Sequence, residues 1–74
     1  MFDLYVCIPG TPDREVFRVR APGRDLVLLA GSRILRHMES AALWECLRSG
    51  FYTLRRDGEG KPDEEGPVSY LEAR

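Results

Sequence analysis

No stretch of this sequence stays apolar for long. The longest such run, Leu26 to Ala30, is far short of the roughly 20 residues that cross a bilayer. Met1-Phe2-Asp3-Leu4 places no basic residue ahead of an apolar core, so no signal peptide is expected and the cytoplasm is the expected location. No membrane is expected among the partners. Histidine occurs once, at His37, and lysine once, at Lys61. Cysteine occurs only at Cys7 and Cys46, with no Cys-x-x-Cys pair. One imidazole and two separated thiols are a poor ligand set for structural zinc. Neither metal nor cofactor is expected, and both thiols are read as buried, reduced, small hydrophobes.

What is present suits one small folded domain. Seventy-four residues, 43% hydrophobic and 31% charged, fit a single core spanning residues 1–74, close to the lower limit at which a core sustains itself. With disulfide and metal set aside, association with another chain is the remaining source of stability. The net charge of −1 favours neither nucleic acid nor a membrane surface. Arginines nevertheless crowd the region from Arg14 to Arg56, opposed there only by Glu15, Asp25, Glu39 and Glu45, and the chain turns acidic from Asp57 onward.

Phe2 to Ile8 alternates, with Phe2, Leu4, Val6 and Ile8 on one side and Asp3, Tyr5 and Cys7 on the other, the period-2 pattern of a half-buried strand. The turn formers Pro9 to Asp13 end it, and Glu15 to Arg20 returns as a hairpin partner. Asp25 to Ala30 reads as a third strand, apolar on both faces, of the kind that sits centrally with cover above and below. Ser32 then offers an N-cap. Ile34, Leu35, Met38, Ala41, Ala42 and Cys46 recur at helical spacing to Ser49-Gly50, where Gly50 would take the left-handed closing position and Phe51 would pack back on Cys46. A rival reading makes Gly31-Ser32 a hairpin turn and Arg33 to His37 a strand, with the helix beginning near Glu39. Phe51 to Arg56 follows as a strand with Tyr52 and Leu54 inward. An acidic loop over 57–66, expected to be mobile, and a closing strand over Val68 to Glu72 complete the order β-β-β-α-β-β. The expected class is α+β: a small antiparallel sheet with one amphipathic helix packed on one face.

Catalysis finds little support in these residues. A thiol nucleophile needs a base within hydrogen-bond reach, and His37 lies off the helical stripe that carries Cys46. The carboxylates gather in a loop where nothing would separate their pKa values. A calcium loop counted from Asp57 would put Pro62 where glycine is required and Val68 where a bidentate glutamate is required. The expectation is a protein that is not an enzyme.

Two surfaces remain as candidates for binding. At about 100° per residue, Arg33, Arg36, His37, Trp44 and Arg48 fall on one face of the expected helix, with Ser40 among them. Such a face suits a protein hot spot or a phosphate backbone with Trp44 stacked on a base. On the second face of the expected sheet, Tyr5, Val16, Val27 and Leu29 would lie uncovered unless the C-terminal segment with Tyr70 and Leu71 folded over them. The expected function is that of a small accessory or regulatory protein. It would bind a protein partner as an inhibitor, modulator or homo-oligomeric adaptor, the partner being another protein or a second copy. The alternative is a nucleic-acid-binding module using the Arg/Trp helix face.

Overall fold

A computed structural model describes residues 1–58 and 60–74. Among the described residues, four strands and three helices follow one another as β1 (Phe2–Ile8), β2 (Arg14–Ala21), α1 (Arg24–Arg36), α2 (Ala41–Leu47), β3 (Phe51–Arg56), β4 (Glu64–Pro67) and α3 (Val68–Glu72). The strands form one antiparallel sheet in the order β2-β1-β3-β4. The class is α+β, as the sequence indicates. The order of elements is β-β-α-α-β-β-α, and three helices rather than one pack on the sheet.

β1 and β2 form the expected hairpin, pairing Leu4 with Val19 and Val6 with Phe17. The register then slips, so that Cys7 faces Glu15. Val16 is the extra residue of this bulge, and it turns toward the helical side, where it packs against the core. Expected on the open face, Val16 is therefore not part of it. A bulge re-aims side chains in this way by placing two residues opposite one.

The segment expected as a third strand is helical. Leu26 to Ala30 is apolar on every side, so a strand template and a buried helix fit it equally well. Joined to Arg24-Asp25 before it and Gly31–Arg36 after it, the run makes a 13-residue helix, with leucines and an alanine that favour that state. Val27, Leu28, Gly31, Ser32 and Leu35 are its buried residues, a three- and four-residue spacing. Val27, expected on an uncovered sheet face, is wholly inside the core. Asp25 in the first turn and Arg33 and Arg36 in the last match the helix dipole.

The long helix expected from Ser32 to Gly50 is broken between residues 38 and 40. His37 closes α1, its N–H donating to Arg33 O at 3.1 Å. Ser40, not Ser32, is the N-cap of α2: its Oγ accepts from the Leu43 N–H at 3.2 Å. The rival reading thus placed the start of this helix correctly, although Arg33 to His37 is not a strand. Ser32 is buried within α1, where its Oγ accepts from Arg36 Nη2 at 2.8 Å. Leu47 is buried on α2, and Cys46 beside it is exposed. Gly50 is not left-handed. Its role is close packing, because a β-carbon there would stand 3.0 Å from Cys7 O, Leu47 O and Val68 Cγ2.

Tyr52 and Leu54 point inward from β3, as expected. Glu64 to Gly66, assigned to the acidic loop, instead pair with β3 as part of β4. Val68 to Glu72 is a short helix rather than a strand, with Val68 and Leu71 buried three residues apart. All three helices lie on the face of Leu4, Val6, Tyr52 and Leu54. Gly31 of α1 meets Leu4, Leu43 of α2 shares a groove with Ile8, and Tyr70 of α3 lies against Gly66.

The opposite face is polar. Register places Arg20, Asp3 and Arg55 in one row, and Arg18, Tyr5, Thr53 and Glu65 in the next. Asp3 and Thr53 are buried there without any helix above them. The Arg18 guanidinium lies 4.6 Å from the Tyr5 ring centroid, and Arg20 Nε stands 3.4 Å from Asp3 Oδ1. Long arginine stems cover this face from within the chain. The expectation of a sheet apolar on both faces, needing outside cover, depended on a strand that is in fact α1.

Candidate functional site

α1 carries two apolar stripes. The inner one, described above, faces the sheet. The outer one contains Leu26, Leu29, Ala30 and Ile34, with Arg33 among them, and these five residues line a shallow cleft. Their spacing of three, four and eight residues keeps them on one side of a helix. Leu26 is 54% exposed, Leu29 41% and Ile34 40%. The three large aliphatic side chains thus form one apolar strip along the outside of α1.

The expected binding residues divide between surfaces. Leu29 and Arg33, assigned to separate sites by the sequence, meet on the outer stripe of α1. Arg36 is engaged elsewhere, donating from Nη2 to Ser32 Oγ at 2.8 Å and to the main-chain oxygen of Arg74 at 2.6 Å. His37 is exposed at the end of α1. Trp44 and Arg48 belong to α2, beyond the break. The Trp44 indole N–H donates to Met38 O at 3.2 Å, and Arg48 Nε is 3.4 Å from Glu45 Oε2. The continuous Arg/Trp face expected of one long helix is therefore not assembled. Tyr5 lies on the open sheet face beneath Arg18.

Two features escaped the sequence. Leu26 and Ile34 complete the outer stripe, and a helical projection of residues 24–36 would have found them. The other is a cluster around Glu64. Tyr52 Oη donates to Glu64 Oε2 at 2.5 Å, while Arg24 and Arg74 both pair with the same carboxylate, and Arg24 also reaches Asp63 at 3.2 Å. The Tyr52 hydrogen bond holds the Glu64 carboxyl below the usual carboxylate range, against partial burial, with Arg74 and then Arg24 assisting. Burial and the Glu64 contact push the Tyr52 hydroxyl up. No local motif announces this cluster, which joins residues from α1, β3, β4 and the end of the chain.

Among the described residues, no group of three or more His, Cys, Asp and Glu side chains is arranged to hold a metal ion, and no helix is long and apolar enough to cross a membrane. The Cys7 thiol is pushed up by partial burial and by the nearby Glu15 and Asp13, with Arg18 opposing. Those influences work against the thiolate form that a nucleophile requires. No protein-family description matches the chain, and neither a curated protein nor a solved structure matches it.

Proposed function

We propose that this chain is a small, non-enzymatic, cytoplasmic protein-binding module that occupies a surface of a partner through the outer stripe of α1. The observation that carries the reading is the alignment of Leu26, Leu29 and Ile34 on one exposed helix face. Burying the exposed part of each is worth roughly 1 kcal/mol, an apolar centre around which further polar contacts would complete an interface. Arg33 within the stripe adds a residue type enriched at interface hot spots.

Other features agree with a binding role. Glu64, the carboxylate with the most developed surroundings, is held ionised by Tyr52 and two guanidinium groups. That arrangement ties elements together and does not suit proton exchange near neutrality.

The test begins with a photo-crosslinking residue at position 29, used in cells to trap whatever contacts α1. The trapped protein is then purified and its affinity for the chain measured directly. A concentration series of the chain alone shows whether that partner is a second copy. Leu29→Asp and Ile34→Asp should each weaken the purified complex at least tenfold, whereas Tyr70→Ser on α3 should leave it unchanged. Equal affinity for parent and Leu29→Asp chains would remove α1 as the contact.

A further inference from the structure

A second surface lies between α2 and α3 and shares no lining residue with the outer stripe of α1. It is an open groove of about 650 Å³ in which Trp44 and Ala41 are the accessible apolar residues, Leu47 and Val68 also line it, and Glu39, Glu45 and Glu72 contribute acidic groups. Leu47 and Val68 are buried, so they back the groove as part of the core, while Trp44 and Ala41 present its apolar surface. Trp44 is half-buried, and its N–H is already bonded to Met38 O. The indole is thereby fixed in place with its polar edge satisfied, which leaves its ring for contact with an incoming side chain.

The charge of the groove is one-sided. Arg48 also lines it and pairs with Glu45 at 3.4 Å, but both side chains are mostly in water, and such a pair contributes little and opens readily. Among the described residues, neither Glu39 nor Glu72 has a cationic group within ion-pair distance. An apolar floor under an acidic rim is complementary to a segment that is apolar on one side and cationic along its edges. A lysine or arginine over the Trp44 face would gain a cation–π contact as well.

We propose that this groove docks a basic amphipathic peptide segment of a protein partner. Aliphatic side chains of the segment sit on Trp44 and Ala41, and its lysines or arginines meet Glu39 and Glu72. This contact is independent of the one assigned to α1.

The chain carries its own reporter, because Trp44 is its single tryptophan. The probe is a synthetic capped 14-residue helical peptide with leucines along one face and lysines elsewhere, compared with a counterpart in which every lysine is glutamate. The lysine peptide should shift Trp44 emission saturably, and the glutamate peptide should not. The Glu39→Gln/Glu72→Gln double variant should bind about tenfold more weakly, as should the parent chain when salt rises from 50 to 300 mM. Both glutamates are exposed, and circular dichroism confirms that the double variant is folded. Leu29→Asp should bind the peptide as the parent does. Equal binding of both peptides, no emission change, or unaltered affinity in the double variant overturns the proposal. Loss of binding in Leu29→Asp overturns it too, since the peptide would then be seated on α1. Failure of the α1 reading leaves all of these results unaffected.

Discussion

Gly31 lies so close over Leu4 that a β-carbon placed on it would overlap Leu4 Cδ2, and would touch Leu71 Cδ2 at 3.4 Å. One missing side chain thus brings α1, β1 and α3 together at a single point. Leu4 and Leu71 are fully buried and have nowhere to retreat. Overpacking a tight core costs about 1–3 kcal/mol, whereas alanine gains up to about 1 kcal/mol over glycine within a helix. Gly31→Ala is therefore expected to lose about 1 kcal/mol in urea denaturation, and Gly31→Val distinctly more. A stabilised Gly31→Ala chain would mean that α1 has room above Leu4.

Neighbouring leucines of α1 should behave oppositely. Leu28 is 1% exposed and Leu26 54%, although two residues apart they would share a face in a strand. Leu28→Ala should cost about 3 kcal/mol, while Leu26→Ala should stay within roughly 0.5 kcal/mol of the parent. Denaturation midpoints of the two variants check this, and similar losses in both would contradict a helical α1.

Acid should weaken the fold partly through Glu64. Its carboxyl is held below the ordinary range in the folded chain, first by the Tyr52 hydroxyl and then by Arg74 and Arg24. The stability this supplies is fully present above the unfolded value, about 4.3, and is lost as pH falls through the lower folded value. Glu64→Gln should be less stable than the parent at pH 7 and should lose less on going to pH 3. Denaturant titrations at the two pH values measure the difference. Parallel declines for parent and variant would show that Glu64 contributes nothing to acid sensitivity.

How far the sequence was readable depended on whether its pattern fitted one period only. The sequence of β1 alternates over seven residues, and a helix accommodates that pattern poorly. The run Leu26-Val27-Leu28-Leu29-Ala30 has no polar residue to mark a period, so its type is undetermined locally and is settled by the residues that complete α1, Arg24-Asp25 before it and Gly31 to Arg36 after it. Val68 to Glu72 has hydrophobes at both two- and three-residue spacing, and only packing decides that Val68 and Leu71 go inward while Tyr70 stays out. The same ambiguity propagated to the site. Leu29 and Arg33 are both legible as surface candidates, yet the face that joins them to Leu26 and Ile34 exists only once α1 is a helix. Trp44 and Arg48 are legible too, but their groove needs α3 as its second wall. The cluster at Glu64 joins positions up to 50 residues apart in the chain (Arg24 to Arg74) and leaves no trace in local spacing.

The strand order carries a consequence for how the molecule assembles itself. β1 is flanked on one side by β2, reached through a five-residue turn, and on the other by β3, which arrives only after two helices have been made. The hairpin can zip early, but the central ribbon stays half-wed until Phe51–Arg56 comes round to pair with residues about fifty positions upstream. Distant pairings of this kind are slow to close relative to helices and tight hairpins. The protein's hold on its shape is therefore won late, at a seam between the beginning and the far side of the polypeptide. Changes along that seam, such as Val6 against Tyr52, will register first in the speed of folding.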